Sequence, residues 1–279
     1  MEPINWFPGH MAKAMRDLKA KQDLVDCFIV VLDARLPLSS YNDQFDSISP
    51  QKPRLFVFSR ADLIKPEKLK PFLKAFNNPL DKCVVVNLKT AGAYQKIYQA
   101  LKRIEQAKKI NDQKKGFVRT WLRCLVVGLP NVGKSTLINL LAQKKKVAVA
   151  NQAGTTRQNQ WINAGTIQLL DTPGILMPKL FDQTLALKLV VCNLIKQQVI
   201  SDQNFYYQVM DLLATISPQT LEQLDLVYGQ DEAEKYNQLV YFAQKHHLLL
   251  AKKQPDLARA LSLIRQKILN LKGIIWDVI

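Results

Sequence analysis

The segment CLVVGLPNVGKSTLINLL, residues 124–141, is an apolar run that breaks at a glycine-bounded turn and then resumes with helical periodicity. Its centre, Gly128 to Ser135, has the form G-x-x-x-x-G-K-S between a strand-like run and a helix-like run. In that context the pattern predicts a phosphate-binding loop, because the loop N–H groups and the helix start face an anion. Such a loop does not identify the base attached to the phosphates, so residues that contact a base must lie elsewhere.

Short apolar runs alternate with helix-like stretches over the first two thirds of the chain. Their brevity and their β-branched residues are typical of buried parallel strands. This alternation predicts an α/β fold with a parallel sheet covered by helices. The predicted strands are Phe28–Asp33, Leu55–Phe58, Cys83–Val86, Cys124–Val127 and Ile167–Leu170. The predicted helices include Met11–Val25, Pro66–Phe76 and Ala93–Lys109, and the polar segment Arg103–Gly116 is predicted to end the last of these as a surface connection.

The strand pattern stops after Pro178, and only helical periodicity follows from about Phe181 onward. We therefore expect an α/β domain of residues 1–180, followed by a small all-α C-terminal domain of residues 181–279.

The chain carries 39 Lys and Arg against 23 Asp and Glu, a formal net charge of +16. An excess of this size indicates a polyanionic partner, either nucleic acid or an anionic membrane. No apolar run approaches the roughly 18 residues that a membrane span needs. The spacing of the four cysteines suggests neither a disulfide framework nor a metal site, and we expect reduced, buried thiols in a cytoplasmic protein. These cysteines are Cys27, Cys83, Cys124 and Cys192.

Metal chemistry is predicted around the phosphate loop. Lys134 can reach the outer phosphates, and the hydroxyl of Ser135 can bind Mg²⁺. The sequence LLDTPG places Asp171 at the end of a strand, where its carboxylate can support the metal, and Gly174 leaves room for an N–H that faces the terminal phosphate.

A switch loop is predicted between these motifs. In NQAGTTRQ, Thr155 and Thr156 follow a flexible glycine, and one threonine can close over Mg²⁺ when a third phosphate is present. A threonine pair after glycine is more often a plain turn, but its position between Ser135 and Asp171 favours the switch.

Two segments past strand ends can contact the base, SRADL at residues 59–63 and NLKTAGA at residues 87–93. In an open parallel sheet the ligand binds beyond the carboxyl ends of the strands. Asp33, Ser59–Asp62, Asn87–Lys89, Gly128 and Asp171 all fall at that edge, although their order along the chain is unusual.

SRADL resembles the guanine-binding N-K-x-D-L motif. Together with GLPNVGKST, GTTR and DTPG it resembles the motif set of a GTPase in circularly permuted order. The stretches WFPGHMAKA and LDARLPLSS resemble the ribosome-assembly GTPases of the YlqF/RbgA type. The match covers roughly the first two thirds of the chain. It implies a circularly permuted P-loop GTPase domain with a helical C-terminal domain that binds ribosome or RNA, and it implies GTP or GDP with Mg²⁺ as ligands. The expected nucleotide contacts are Ser59, Arg60, Asp62, Asn87, Leu88, Lys89, Asn131, Val132, Gly133, Lys134, Ser135, Thr136, Thr155, Thr156 and Gly174, and the expected Mg²⁺ ligands are Ser135, Thr156 and Asp171.

The chain departs from the family motif at Ser59 and Arg60, where the motif has asparagine and lysine. The amide that contacts the base is therefore missing, and an arginine must stack where the lysine stem lies. Asp62 remains, and its carboxylate can accept hydrogen bonds from N1–H and the exocyclic amine of guanine, which adenine lacks. We expect a preference for GTP, with weaker affinity or discrimination than the intact motif gives.

A second departure is Ile175, at the position where many GTPases have a glutamine that orients the attacking water. The resemblance implies that His10 takes this role, so His10, Lys134 and Thr156 are the expected catalytic residues; alternatively, His10 only anchors the N-terminal segment. Asn131 is the expected ligand of an activating K⁺, or else a loop asparagine that bonds its own backbone.

The first functional hypothesis is a cytoplasmic GTPase, slow alone, that acts as a switch on the assembling large ribosomal subunit and contacts its rRNA. We expect a monomer with neither membrane nor DNA as partner. The alternative is an RNA-binding adaptor with a largely structural nucleotide pocket. An ATPase of the same fold is disfavoured by Asp62.

Overall fold

The structure is a computed structural model that describes residues 10–76, 78–117, 121–143, 161–172 and 182–278, with only the backbone described for residues 10–15. These residues form two compact units, the first ending at Thr172 and the second running from Asp182 to Val278.

The first unit contains a six-stranded sheet with the order β3-β2-β1-β4-β6-β5. Each neighbouring pair is parallel except β5 with β6, which is antiparallel. The strands are β1 (Cys27–Asp33), β2 (Arg54–Ser59), β3 (Lys82–Val85), β4 (Leu122–Val127), β5 (Trp161–Ala164) and β6 (Ile167–Asp171). The fold class predicted from sequence is confirmed.

Four of the five predicted strands owe their apolar runs to burial, while the residues of the edge strand β3 are exposed or half-buried. β1 lies at the centre of the sheet, and all seven of its residues are buried. β5 was not predicted, since it is a four-residue edge strand with Trp161 and Asn163 exposed. A turn at Gly165, with φ of +65°, joins it to β6. The two-residue connection Gly165–Thr166 between short runs is a hairpin signal that could have revealed it.

Helices α1 (His10–Lys21), α2 (Pro66–Leu73), α3 (Ala91–Lys114) and α4 (Lys134–Ala142) belong to the first unit. The helix predicted to reach Val25 ends at Lys21, and one turn of 3₁₀ helix follows it.

The prediction that Arg103–Gly116 is a surface connection was wrong, because α3 continues to Lys114. Its buried positions repeat at helical spacing as far as Ile104 and Glu105. The Glu105 carboxylate pairs with Lys102 and Lys109 at 2.6 and 3.0 Å, and such i,i+3 and i,i+4 pairs support a helix through charged sequence.

Cys27 and Cys124 are buried opposite each other in β1 and β4, with 3.2 Å between their sulfur atoms. The expectation of burial was wrong for Cys83, which is exposed because β3 is the edge strand of the sheet.

The second unit is helical in its described residues, apart from an isolated β-bridge between Leu249 and Pro255. Its helices are α5 (Gln183–Val191), α6 (Asp202–Ile216), α7 (Pro218–Gln223), α8 (Glu232–Lys245) and α9 (Leu257–Leu269). Four of them begin at a side chain that accepts a backbone N–H, which satisfies donors at the helix start. These caps are Asp182, Ser201, Asp231 and Asp256.

Large aromatic side chains make the core of the second unit. Phe205 and Tyr206 from α6, Phe242 from α8 and Trp276 after α9 are at most 2% exposed. In the part of the chain that the structure describes, no helix has the length and apolar character needed to cross a bilayer.

Candidate nucleotide-binding site

The phosphate loop lies directly against the sheet. Gly128, which follows β4, has φ of +147°, and a Cβ atom there would approach the carbonyl oxygen of Val31 in β1 to 2.4 Å. Gly133 has φ of +108° and precedes α4, which begins without a side-chain cap. The first N–H groups of α4 therefore remain available for an anion.

Lys134 is buried, and its ammonium donates to the carbonyl oxygens of Gly128 and Leu129 at 3.2 and 2.8 Å. Burial lowers the pKa of Lys134 to about 8, while the negative charge of Asp171 acts in the opposite direction. Burial removes water from the Lys134 ammonium, and a phosphate beside it would supply the negative charge that stabilises the protonated form.

Asp171 ends β6, opposite Val126 of β4. Its side chain is buried, and neither carboxylate oxygen has a hydrogen-bond partner among the described residues. Burial raises the pKa of Asp171, and the Lys134 charge opposes this rise. Unpartnered carboxylate oxygens fit a hard divalent cation such as Mg²⁺.

The remaining metal ligands would come from Ser135, in the first turn of α4, and from nucleotide oxygens. Within the described ranges there is no group of three His, Cys, Asp or Glu residues that could bind a metal unaided. This sparse set suits Mg²⁺, which usually binds one or two protein groups together with phosphates and water.

Ser59 and Arg60, the two residues that depart from the guanine motif, both contact the phosphate loop. The Ser59 hydroxyl lies 2.9 Å from the carbonyl oxygen of Leu32 and 2.8 Å from that of Val132. Arg60 has φ of 56° and donates through Nη2 to the carbonyl oxygen of Asn131 at 2.7 Å. The guanidinium is therefore engaged with the loop backbone, which leaves only the aliphatic stem for the predicted stacking on a base.

Asp33, at the end of β1, holds the Arg60 side chain in this position. The carboxylate is fully buried and pairs with Arg60 Nη1 at 3.1 Å. It also accepts from Arg35, through Nε at 3.0 Å and through Nη2 at 2.7 Å. The sequence places Asp33 at this edge, but no role was predicted for it. The spacing of Asp33 and Arg35, an acid and an arginine two residues apart at the end of a buried strand, could have indicated this ion pair.

Asp62 lies beside Arg60 in a single 3₁₀ turn, and its side chain is exposed. The backbone N–H of Ala61 donates to the carbonyl oxygen of Val86 at 3.3 Å, which joins this turn to the end of β3.

The segment after β3 also reaches the phosphate loop. The Asn87 side chain accepts from the backbone of Lys89 at 3.0 Å. Leu88 is buried, and its Cδ1 lies 3.1 Å from where a Cβ of Gly133 would be. The loops after β2, β3 and β4 therefore converge.

The other predicted site residues divide into two groups. Asn131 has φ of 58°, Val132 is buried, and Ser135 and Thr136 are half-buried in the first turn of α4. Thr155, Thr156 and Gly174 lie outside the described residues, as does the side chain of His10, whose backbone begins α1.

The phosphate loop with its buried Lys134, the buried Asp171 and a segment that resembles the guanine motif lie at one edge of a parallel sheet, and together they define a P-loop GTPase. Its motifs are circularly permuted, since Ser59–Asp62 precede Gly128–Ser135 in the chain.

A family profile described as "50S ribosome-binding GTPase" matches residues 123–252. Ribosome biogenesis GTPase A of Bacillus cereus is 38% identical over 221 residues, which cover 79% of this chain and 75% of that protein. Ribosome biogenesis GTPase A of Thermotoga maritima is 30% identical over 263 residues, 93% of this chain and 88% of that protein. The chain belongs to the ribosome biogenesis GTPase A family and is a GTP hydrolase of ribosome assembly. The predicted family and activity are confirmed.

The structure resembles GDP-bound YlqF, with a TM-score of 0.61 and 24% identity over 93% of this chain and 98% of that one. It also resembles GNP-bound YlqF from T. maritima, with a TM-score of 0.56 and 24% identity over 92% of this chain and 93% of that one. At this identity the likeness establishes the fold alone.

Proposed function

We propose that this GTPase binds the assembling large ribosomal subunit in its GTP state and leaves after hydrolysis, in the cytoplasm. The subunit is named in the description of the matching family, and the relatives act in ribosome biogenesis by name. The observation that carries the nucleotide half of the proposal is the buried Lys134 beside Asp171. Burying these groups costs free energy that a purely structural pocket would not need, and a bound nucleotide with its metal would offset that cost.

Each site residue has a distinct role in this proposal. Lys134 and the N–H groups at the start of α4 bind the phosphates, and Asp62 accepts hydrogen bonds from guanine. Ser135, Thr156 and Asp171 would hold Mg²⁺, which neutralises charge between the outer phosphates when bound. Thr155 and Gly174 complete the switch segments. The segment Asn87–Lys89 lies beside the base.

His10 orients the attacking water in this proposal, because Ile175 lacks a polar side chain. The alternative, that His10 only anchors the N-terminal segment, predicts a structural defect and not a slower chemical step. A K⁺ ion bound near Asn131 would add fixed positive charge beside the phosphates.

Sedimentation with purified large subunits tests the switch. Binding should be strong with a non-hydrolysable GTP analogue and at least tenfold weaker with GDP, and the subunits should raise the rate of GTP turnover. Equal binding with GDP, with the analogue and without nucleotide, together with unstimulated turnover, would instead establish the RNA-binding adaptor.

A further inference from the structure

The net positive charge of this protein comes from one part of the chain. Residues 182–278 contain ten Lys or Arg and ten Asp or Glu, so the helical unit has no formal net charge. The whole excess of +16 belongs to the first 181 residues, in which the GTPase site lies. A helical unit with balanced charge is a poor candidate for the electrostatic part of polyanion binding.

Ion pairs reduce the available charge of the helical unit further. Half of its ten cationic side chains pair with its own carboxylates. These five are Lys188, Lys235, Lys245, Arg265 and Lys267.

The first unit, which holds the GTPase site and is called the GTPase unit below, presents on one face of α3 cations that form no ion pair among the described residues. Lys96, Arg103 and Lys114 are separated by 7 and 11 residues, which places them within about 20° of one another around a helix. All three are exposed, and none forms an ion pair with any residue that the structure describes. We call these three residues the α3 basic face.

The acidic residues of α3 lie away from this face. Glu105 already pairs with Lys102 and Lys109, and Asp112 pairs with Lys108. The neutralised cations of α3 are therefore those on its other side, and the α3 basic face keeps its charge.

The spacing of the α3 basic face suits an extended polyanion. At about 1.5 Å per residue, Lys96 and Arg103 are roughly 10 Å apart along the axis, and Arg103 and Lys114 are roughly 16 Å apart. A single phosphate group cannot contact all three. Between Arg103 and Lys114, the large apolar side chain that is exposed is Ile110, at 59%, which is too little apolar area for a membrane-binding helix.

Exposed aromatic rings close to the end of α3 favour RNA over an acidic protein. Phe117 is 59% exposed, and Trp121, immediately before β4, is 46% exposed. Exposed aromatic rings are typical of surfaces on which unpaired bases stack.

We propose that the α3 basic face binds the phosphate backbone of RNA in the ribosomal subunit, and that the helical unit does not supply the salt-dependent part of this binding. This rests on the proposed function for the identity of the particle. It assigns the electrostatic contact to the unit that holds the GTPase site and not to the helical domain, which the family resemblance implies binds ribosome or RNA.

A matched pair of triple variants of the full-length chain tests the proposal. The test variant carries Lys96→Gln, Arg103→Gln and Lys114→Gln. The control carries Lys196→Gln, Arg259→Gln and Lys272→Gln, which removes the same charge from exposed residues of the helical unit that form no ion pair among the described residues. Binding to purified large-subunit rRNA is measured between about 50 and 200 mM salt, with GDP affinity as the folding control.

The test variant should bind rRNA about ten- to a thousandfold more weakly at low salt. Its negative slope of log K against log salt should become shallower by about 2–3. The control should match the unmodified chain. Equal losses in both variants would show that only total charge matters, and no loss in the test variant would remove α3 from the interface; either result overturns the proposal. Unchanged rRNA binding with lost binding to phosphatidylserine vesicles would assign the face to membranes instead.

Failure of the proposed function is distinguishable from failure of this inference. Salt-dependent rRNA binding that needs the α3 basic face, in a protein whose binding to subunits ignores the nucleotide, would contradict the switch and leave the inference standing.

Discussion

At the scale of single residues, the altered motif at residues 59–62 divides two roles between its side chains. Ser59 and Arg60 contact the phosphate loop, and Asp62 is the side chain proposed to contact the base. Arg60 and Ser59 contact the carbonyl oxygens of Asn131 and Val132, and the Arg60 guanidinium is held by the buried Asp33. These contacts join the two side chains to the backbone of the phosphate loop. In the proposed function, Asp62 is the remaining side chain of the motif and discriminates between the bases.

We expect Asp62→Asn to weaken GTP binding and to shift preference toward xanthosine nucleotides, because the mutant amide can donate to the carbonyl that xanthine has in place of the guanine amine. Competition of labelled GDP by GDP, ADP and xanthosine diphosphate measures the shift. Unaltered selectivity would mean that SRADL does not contact the base.

Arg60→Ala is the matched contrast. It removes the contact to Asn131 and leaves Asp33 with Arg35 as its partner. GDP, ADP and xanthosine diphosphate should lose affinity by a similar factor of about ten to a hundred, because a hydrogen bond to a charged group contributes roughly 1.5–3 kcal/mol.

His10→Ala tests the water-orienting role. Affinities for GTP and GDP should stay nearly constant, since neither ground state needs the contact, while single-turnover hydrolysis on preformed subunit complexes should slow by roughly ten- to a thousandfold. Lower melting temperature and weaker subunit binding with a normal rate per complex would identify an anchoring residue instead.

At the scale of elements, the junction of β4 with α4 depends on one glycine. Gly128→Ala would force a Cβ to within 2.4 Å of the Val31 carbonyl oxygen at a backbone φ of +147°. We expect a loss of about 1–3 kcal/mol of stability together with lost nucleotide binding.

Gly92→Ala is the control for that change. Gly92 lies in the first turn of α3, and a Cβ there would meet no atom within 4 Å. Alanine should raise stability by up to about 1 kcal/mol, because it restricts the unfolded chain and favours the helix. Thermal unfolding of both variants gives the comparison, and equal destabilisation would show that glycine content and not the contact with Val31 is responsible.

Continuously apolar runs in the sequence predicted five strands, including β3, whose residues are exposed or half-buried, and elements without such a run were missed. Every residue of β1 and β2 is buried, as is β4 except at Arg123, so the centres of these strands are continuously apolar. β5 is a short edge strand and shows no such run. The last turns of α3 are mostly exposed and charged, and their ion pairs become visible only when the helix is assumed.

The candidate site was predictable where chemistry is tied to local sequence and not where it depends on tertiary contacts. Gly128–Ser135 and Asp171 follow from motif and strand position. The contact of Arg60 with Asn131 joins residues 71 positions apart. Nothing in the local sequence specifies that partner. The order of strands in the sheet decides which loops are neighbours, and the alternation of strands and helices along the chain does not determine that order.

At the scale of the whole molecule, each compact unit has its own core. The helical unit buries Phe205, Tyr206, Phe242 and Trp276. We expect residues 182–279, produced alone, to unfold cooperatively on heating and to ignore added GDP. The full-length chain should gain roughly 3 kcal/mol at nucleotide concentrations a hundredfold above Kd.

Circular dichroism melts of the fragment and of the full-length chain, with and without GDP and Mg²⁺, measure this difference. A fragment whose melting temperature rises with GDP would place part of the nucleotide contacts in the helical unit.

The order of strands has a consequence for which part of the sheet a bound nucleotide would stabilise. β1, β2 and β3 come from the first 85 residues, while β4, β5 and β6 come from residues 122–171, and the two halves of the sheet meet only along β1 and β4. In the proposed function a nucleotide is held by Asp62 on one half and by Lys134 on the other, and it would therefore link the two halves across the β1–β4 pair. Amide protons of Ile29 and Val126 should therefore exchange with solvent more slowly once nucleotide is bound, and a nascent chain can close its pocket only after Asp171 has been synthesised.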